Sequence, residues 1–103
     1  MAEWMKGFYI GEGVKNPRRT KQRIDSGKIT PGIYLVTLSD NPNHLMEIIP
    51  ALMLLQKPFQ SLCPPVIGMA SDKDEAMELV RRITEEVYQA TGAFQIEEYW
   101  KNR

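Results

Sequence analysis

Residues 33–56 read IYLVTLSDNPNHLMEIIPALMLLQ, and how this stretch divides decides the fold. Residues 33–39 are β-branched, aromatic and almost free of polarity, the pattern of a strand buried on both faces of a parallel or mixed sheet. Asp40, Asn41 and Asn43 are capping residues around Pro42, and Leu45, Ile48, Ile49, Leu52 and Leu55 follow at helical spacing, which predicts a helix over 42–56. Pro50 in its interior removes a backbone hydrogen bond and clashes with the preceding turn at about 3 kcal/mol, so a kink or restart is expected there. Met46, Ala51, Met53 and Leu54 lie outside the apolar stripe, leaving His44 and Glu47 as nearly the only polar side chains from 44 to 55. One sheet in a small chain cannot cover a helix that is apolar all round. A second protein surface is therefore expected over Leu45, Met46, Met53 and Leu54, most simply another copy, giving a homodimer or higher homo-oligomer.

Downstream, three prolines mark 57–65 as a loop and 66–70 as a short apolar strand. Ser71 is the expected N-cap of a second helix, whose acidic first turn suits the helix dipole. Ala76, Leu79, Val80, Ile83, Val87 and Ala90 form its apolar stripe, and Glu78 with Arg82, Arg81 with Glu85 and Arg82 with Glu86 stand one turn apart on its solvent face. Gly92 ends it. Phe94 and Ile96 suggest a final strand over 93–97, with Tyr99 and Trp100 pinning the tail.

Upstream, Thr30, Pro31 and Gly32 set a type II turn. Asn16, Pro17 and Gly27 mark the N-cap, first position and C-terminal glycine of a short helix with one large apolar residue, Ile24. Phe8, Tyr9 and Ile10 give a brief strand between glycines. The expected architecture is α/β: a small two-layer sandwich with a mixed sheet of three or four strands and two main helices. The order is β-α-β-α-β over 31–103, after a basic N-terminal extension or hairpin arm over 1–30. The strands at 33–39 and 66–70 are expected to be parallel, joined by a right-handed crossover. A chain of 103 residues supports one such domain.

Composition is that of an ordinary globular protein, 25% charged and 43% hydrophobic, which excludes disorder and low complexity. The 13 basic residues balance the 13 acidic ones, so nothing global draws the chain to nucleic acid or anionic membrane. The charge is nevertheless divided along the sequence: residues 1–28 carry seven bases against three acids, and residues 72–99 eight acids against three bases. The two ends either lie near one another or meet the opposite end of a second copy. Residues 1–11 lack the apolar run of a secretory signal, and the apolar run at 45–55 is too short to cross a bilayer, so a cytoplasmic location with no membrane contact is expected. The lone Cys63 forms no intrachain disulfide and reads as a small buried hydrophobe.

If the strands at 33–39 and 66–70 were parallel, their carboxyl ends would open a crevice lined by Asp40, His44 and Asp72, where ligands of open α/β sheets bind. Those side chains suit a divalent cation or acid-base work, yet aspartates at helix starts are ordinarily caps, and no metal or cofactor is expected. No nucleophile elbow, phosphate loop or dinucleotide motif is present. The basic residues Arg18, Arg19, Lys21 and Arg23 offer contacts to an acidic protein partner. Nucleic acid is not expected there, because the 15–28 stretch has no aromatic residue to stack on bases. The reading that follows is a non-catalytic, self-associating interaction or assembly module. A small metal-dependent enzyme or ligand-binding domain using Asp40, His44 and Asp72 is the alternative, and nucleic-acid binding through 15–28 the third.

Overall fold

Pro31 and Gly32 turn the chain as their chemistry requires: Gly32 takes a positive φ of 82°, and the Ile33 amide closes the turn on the Thr30 carbonyl. The chain then enters a strand whose last four residues are buried on both sides. The computed structural model describes residues 3–28, 30–39, 45–55, 65–92, 96 and 99. Its elements are strand β1 (Trp4–Ile10), helix α1 (Pro17–Asp25), strands β2 (Tyr34–Leu38) and β3 (Met46–Pro50), a 3₁₀ turn (Ala51–Leu55), strand β4 (Val66–Ala70) and helix α2 (Lys73–Thr91). The four strands form one mixed sheet in the order β1-β4-β2-β3. With its two helices and mixed four-stranded sheet this is the small α/β sandwich class that the sequence predicts, although both faces of the sheet are covered where two layers were expected.

Two expectations are corrected. The helix over 42–56 does not form: residues 46–50 are β3, paired antiparallel with β2 from Leu38↔Met46 to Tyr34↔Pro50. The two periods compete over this stretch, and the strand wins because it removes the cost of Pro50. A helix would hold that proline in its interior, whereas at the end of an outer strand it needs no amide partner. The chain then tightens into the 3₁₀ turn, which the Ala51 amide ties to the Ile33 carbonyl at 2.9 Å. The second correction concerns strand direction. Residues 34–38 and 66–70 are antiparallel, and it is β1 that runs parallel to β4. The chain turns back from β2 into β3, and β4 runs parallel to β3 with β2 between them, which sets β4 antiparallel to β2. Residues 4–10 therefore lie within the sheet rather than in an arm beside it.

Each face of the sheet has its own cover. On one side Ala76, Leu79, Ile83 and Val87 of α2, with Ile96, pack on Val36, Leu38, Ile67 and Ala70. On the other, Val14 and Ile24 from the α1 region and Ala51 and Leu54 from the 3₁₀ turn cover Leu35, Ile49, Val66 and Met69. The partition follows strand alternation, except at a bulge where Val36 pairs Gly68 and Thr37 pairs Val66, leaving Ile67 as the extra residue. A Cβ on Gly68 would lie 3.2 Å from Val36 Cβ and 3.5 Å from Leu79 Cδ1, so glycine lets α2 sit close to the sheet.

The helix ends are set locally. Asn16 accepts the Arg19 amide and caps α1. The cap of α2 is Asp72, one residue beyond the expected Ser71, accepting the Glu75 amide at 2.7 Å. Gly92, at φ 72°, closes α2 with its amide on the Tyr88 carbonyl. Arg81 pairs with both Glu78 and Glu85. Of the expected stripe, Val80 is half-buried and Ala90 exposed. Ile96 has helical backbone and is buried, which overturns the strand through that residue. Tyr99 packs against the same core, while Phe94 and Trp100 lie outside the described residues.

Candidate functional site

The parallel pair β1 and β4 brings two carboxyl ends together, with Ile10 opposite Met69. From there the chain enters α1 through residues 11–16 and α2 through Ser71 and Asp72. This is the position at which α/β sheets receive ligands, and the loop after β1 turns the Gly13 amide toward it, while the Gly11 amide donates to the Met69 carbonyl at 2.8 Å. A side chain of the chain itself occupies it. Glu75, in the first turn of α2, takes the Gly13 amide on Oε2 at 2.8 Å, and the Ser71 amide and hydroxyl on Oε1 at 2.8 and 3.0 Å. Partial burial pushes the Glu75 carboxyl up. The hydrogen bonds from the Ser71 amide, the Gly13 amide and the Ser71 hydroxyl outweigh it and hold the group below its usual value. A Cβ on Gly11 would stand 2.2 Å from Glu75 Oε1, and one on Gly13 2.1 Å from Ser71 Oγ, so a side chain at either position would displace the carboxylate or the hydroxyl. The cradle thus contains a built-in carboxylate that ties the two helix entries together.

The crevice expected from Asp40, His44 and Asp72 rested on parallel β2 and β4. Because those strands are antiparallel, Ser39 and Ser71 leave the sheet at opposite ends. Asp72 is engaged as the α2 cap, whereas Asp40 and His44 lie outside the described residues, as does Cys63. Among the described residues no three His, Cys, Asp or Glu side chains are grouped to hold a metal ion.

The apolar candidates separate. Leu54 is 3% exposed and belongs to the protomer's own core, so it is withdrawn from any interface. Met53 is half-buried against the same cluster, and Met46 packs on the α2 side. Leu45 remains 44% exposed, and Leu52, outside the predicted set, is 43% exposed. These two residues stand just before and just after β3. Ile10, Met77 and Tyr88 are the other exposed large apolar residues among the described ones. Tyr88 lines a shallow hollow of about 370 Å³ with Thr84, Glu85 and Gln89.

Arg18, Arg19, Lys21 and Arg23 all fall on α1. Lys21 Nζ sits 5.7 Å from the centre of the Trp4 ring, whose indole N–H donates to Asp25 Oδ1 at 2.8 Å. Arg19, Gln22, Arg23, Ser26 and Lys28 line a polar hollow of about 230 Å³. Helices α1 and α2 cover opposite faces of the sheet, which sets the bases of α1 and the acids of α2 on different sides of it. No helix among the described residues is long and apolar enough to cross a membrane. Comparison with protein-family models, curated proteins and solved structures finds no match to this chain.

Proposed function

We propose that the chain is a non-catalytic interaction and assembly module that associates with a second copy of itself through β3. The observation that carries this reading is the position of β3 as an outer strand of the sheet, with exposed leucines at 45 and 52 on either side of it. An outer strand presents amides and carbonyls along its free side, and pairing with an identical strand uses them without any new element. Antiparallel pairing of two β3 strands about a twofold axis joins the two sheets and brings the same leucines together from both copies, the self-complementary arrangement of most homodimers. Leu45 and Met46 keep their expected interface role here, Leu52 joins them, and Leu54 supports the turn from within.

The test is native mass by light scattering at two protein concentrations and at raised salt. An assembly of two or more chains that resists salt supports the reading. It should dissociate in the double variant Leu45→Glu, Leu52→Glu, which alters exposed positions only. Met53→Glu is less decisive, since it also removes a contact with the core. A wild-type chain that is monomeric at both concentrations overturns self-association, and a double variant of unchanged mass overturns its placement at β3.

A further inference from the structure

The start of helix α1 is charged against its own dipole, whereas Arg23 in its last turn suits it. Its first turn carries Arg18 and Arg19 and no acidic residue, whereas the partial positive charge of a helix start favours acids; α2, in the same chain, begins with Asp74 and Glu75. Arg19 and Arg23 stand one turn apart, a spacing at which like charges destabilise a helix. The one acid on α1, Asp25, is turned to the Trp4 indole. The side chains of Arg18, Arg19 and Lys28 join no ion pair with the described residues. Exposed positive charge at Arg18, Arg19 and Lys28 with no ion pair among the described residues marks a place where an external anion can supply the counter-charge.

We propose that the outer face of α1 binds a phosphate group, held between Arg19, Arg23 and Lys28 with Gln22 and Ser26 alongside. Residues 19, 22, 23 and 26 share one face of the helix, and Lys28 closes the hollow beyond its end. Guanidinium forks match phosphate oxygens, while Gln22 and Ser26 add neutral donors. The carbonyls at the end of α1 do not oppose an anion there, because the amides of Ser26, Gly27 and Lys28 already occupy those of Gln22, Ile24 and Arg23. A nucleic-acid backbone is the less favoured source. The aromatic nearest α1, Trp4, has Lys21 over its ring and Phe8 at 5.2 Å, which leaves no open face for a base. The proposal stands apart from self-association through β3.

Calorimetric titration at constant ionic strength tests it, with four probes: inorganic phosphate, a phosphoserine peptide, its unphosphorylated counterpart and a short DNA duplex. Wild-type protein should bind the first two. The double variant Arg19→Gln, Lys28→Gln, checked for unchanged circular dichroism, should lose about tenfold or more in affinity, while Lys73→Gln on α2 loses none. A phosphopeptide that binds more tightly than free phosphate makes the source a modified protein, and equal binding makes it the free anion; both support the site. Heat no greater than that of matched chloride, full affinity in the double variant, or tighter binding of the duplex than of the phosphopeptide overturns it.

Discussion

Single side chains in this protein separate into those whose chemistry is satisfied and those whose chemistry is not. The Thr37 hydroxyl is buried in the central strand and finds no hydrogen-bond partner among the described residues. Its desolvation is uncompensated, so Thr37→Val, which keeps the branched shape, should leave stability unchanged or raise it by up to about 1 kcal/mol in a denaturant titration. Glu75 is the opposite case, with both oxygens occupied. Its folded pKa lies below the unfolded one, so its contribution is complete above the unfolded value of about 4.3 and is lost as pH falls through the folded value. Glu75→Gln should therefore lower the melting temperature at neutral pH, and the gap between variant and wild type should close in strong acid. A gap independent of pH would show that the carboxylate's charge contributes nothing.

At the scale of elements, Leu52 and Leu54 are two residues apart in one 3₁₀ turn and differ in burial more than in chemistry. Leu54→Ala empties a core position and should cost about 3 kcal/mol, against less than about 0.5 for Leu52→Ala, measured by urea unfolding at a concentration low enough for the chain to be monomeric. The first turn of α1 carries charge of the sign that its dipole disfavours. Arg18→Glu places an acid in the first turn and should stabilise the fold by about 0.5 kcal/mol at low salt, a gain that shrinks as salt rises. The elements bounded by local chemistry were legible in the sequence. Asn16, Pro17 and Gly27 delimit α1, and β4 spans the five residues expected of it. The cap of α2 shifted by one because Ser71 and Asp72 are both competent caps, and Ser71 is drawn off by the Glu75 carboxylate. The stretch from 45 to 55 was not legible, since a segment apolar at nearly every position satisfies the helical and strand periods alike, and only Pro50 discriminates. Strand direction was hidden for a related reason: it depends on how the connection between β2 and β4 folds. The leucines flanking β3 were in view as apolar residues, but which of them faces solvent follows from the strand.

For the whole molecule, the sheet order places β1 beside β4, across more than fifty residues of intervening chain. Residues 4–10 supply Trp4 and Phe8 to one face and Met5 and Tyr9 to the other. Deleting residues 1–14 should accordingly abolish the cooperative thermal transition followed by circular dichroism rather than leave a folded remainder over 31–103. The placement of α1 and α2 over opposite faces turns the division of charge between these two helices into one in space. The adjacency of β1 and β4 also bears on how the protein is made. On the ribosome β1 emerges well before the strand it pairs with, and at roughly 5 to 20 residues per second the delay amounts to several seconds. Throughout that interval a nascent segment carrying Trp4, Phe8 and Tyr9 has no strand to pair with, so the sheet closes on β1 only after residues 66–70 have been made.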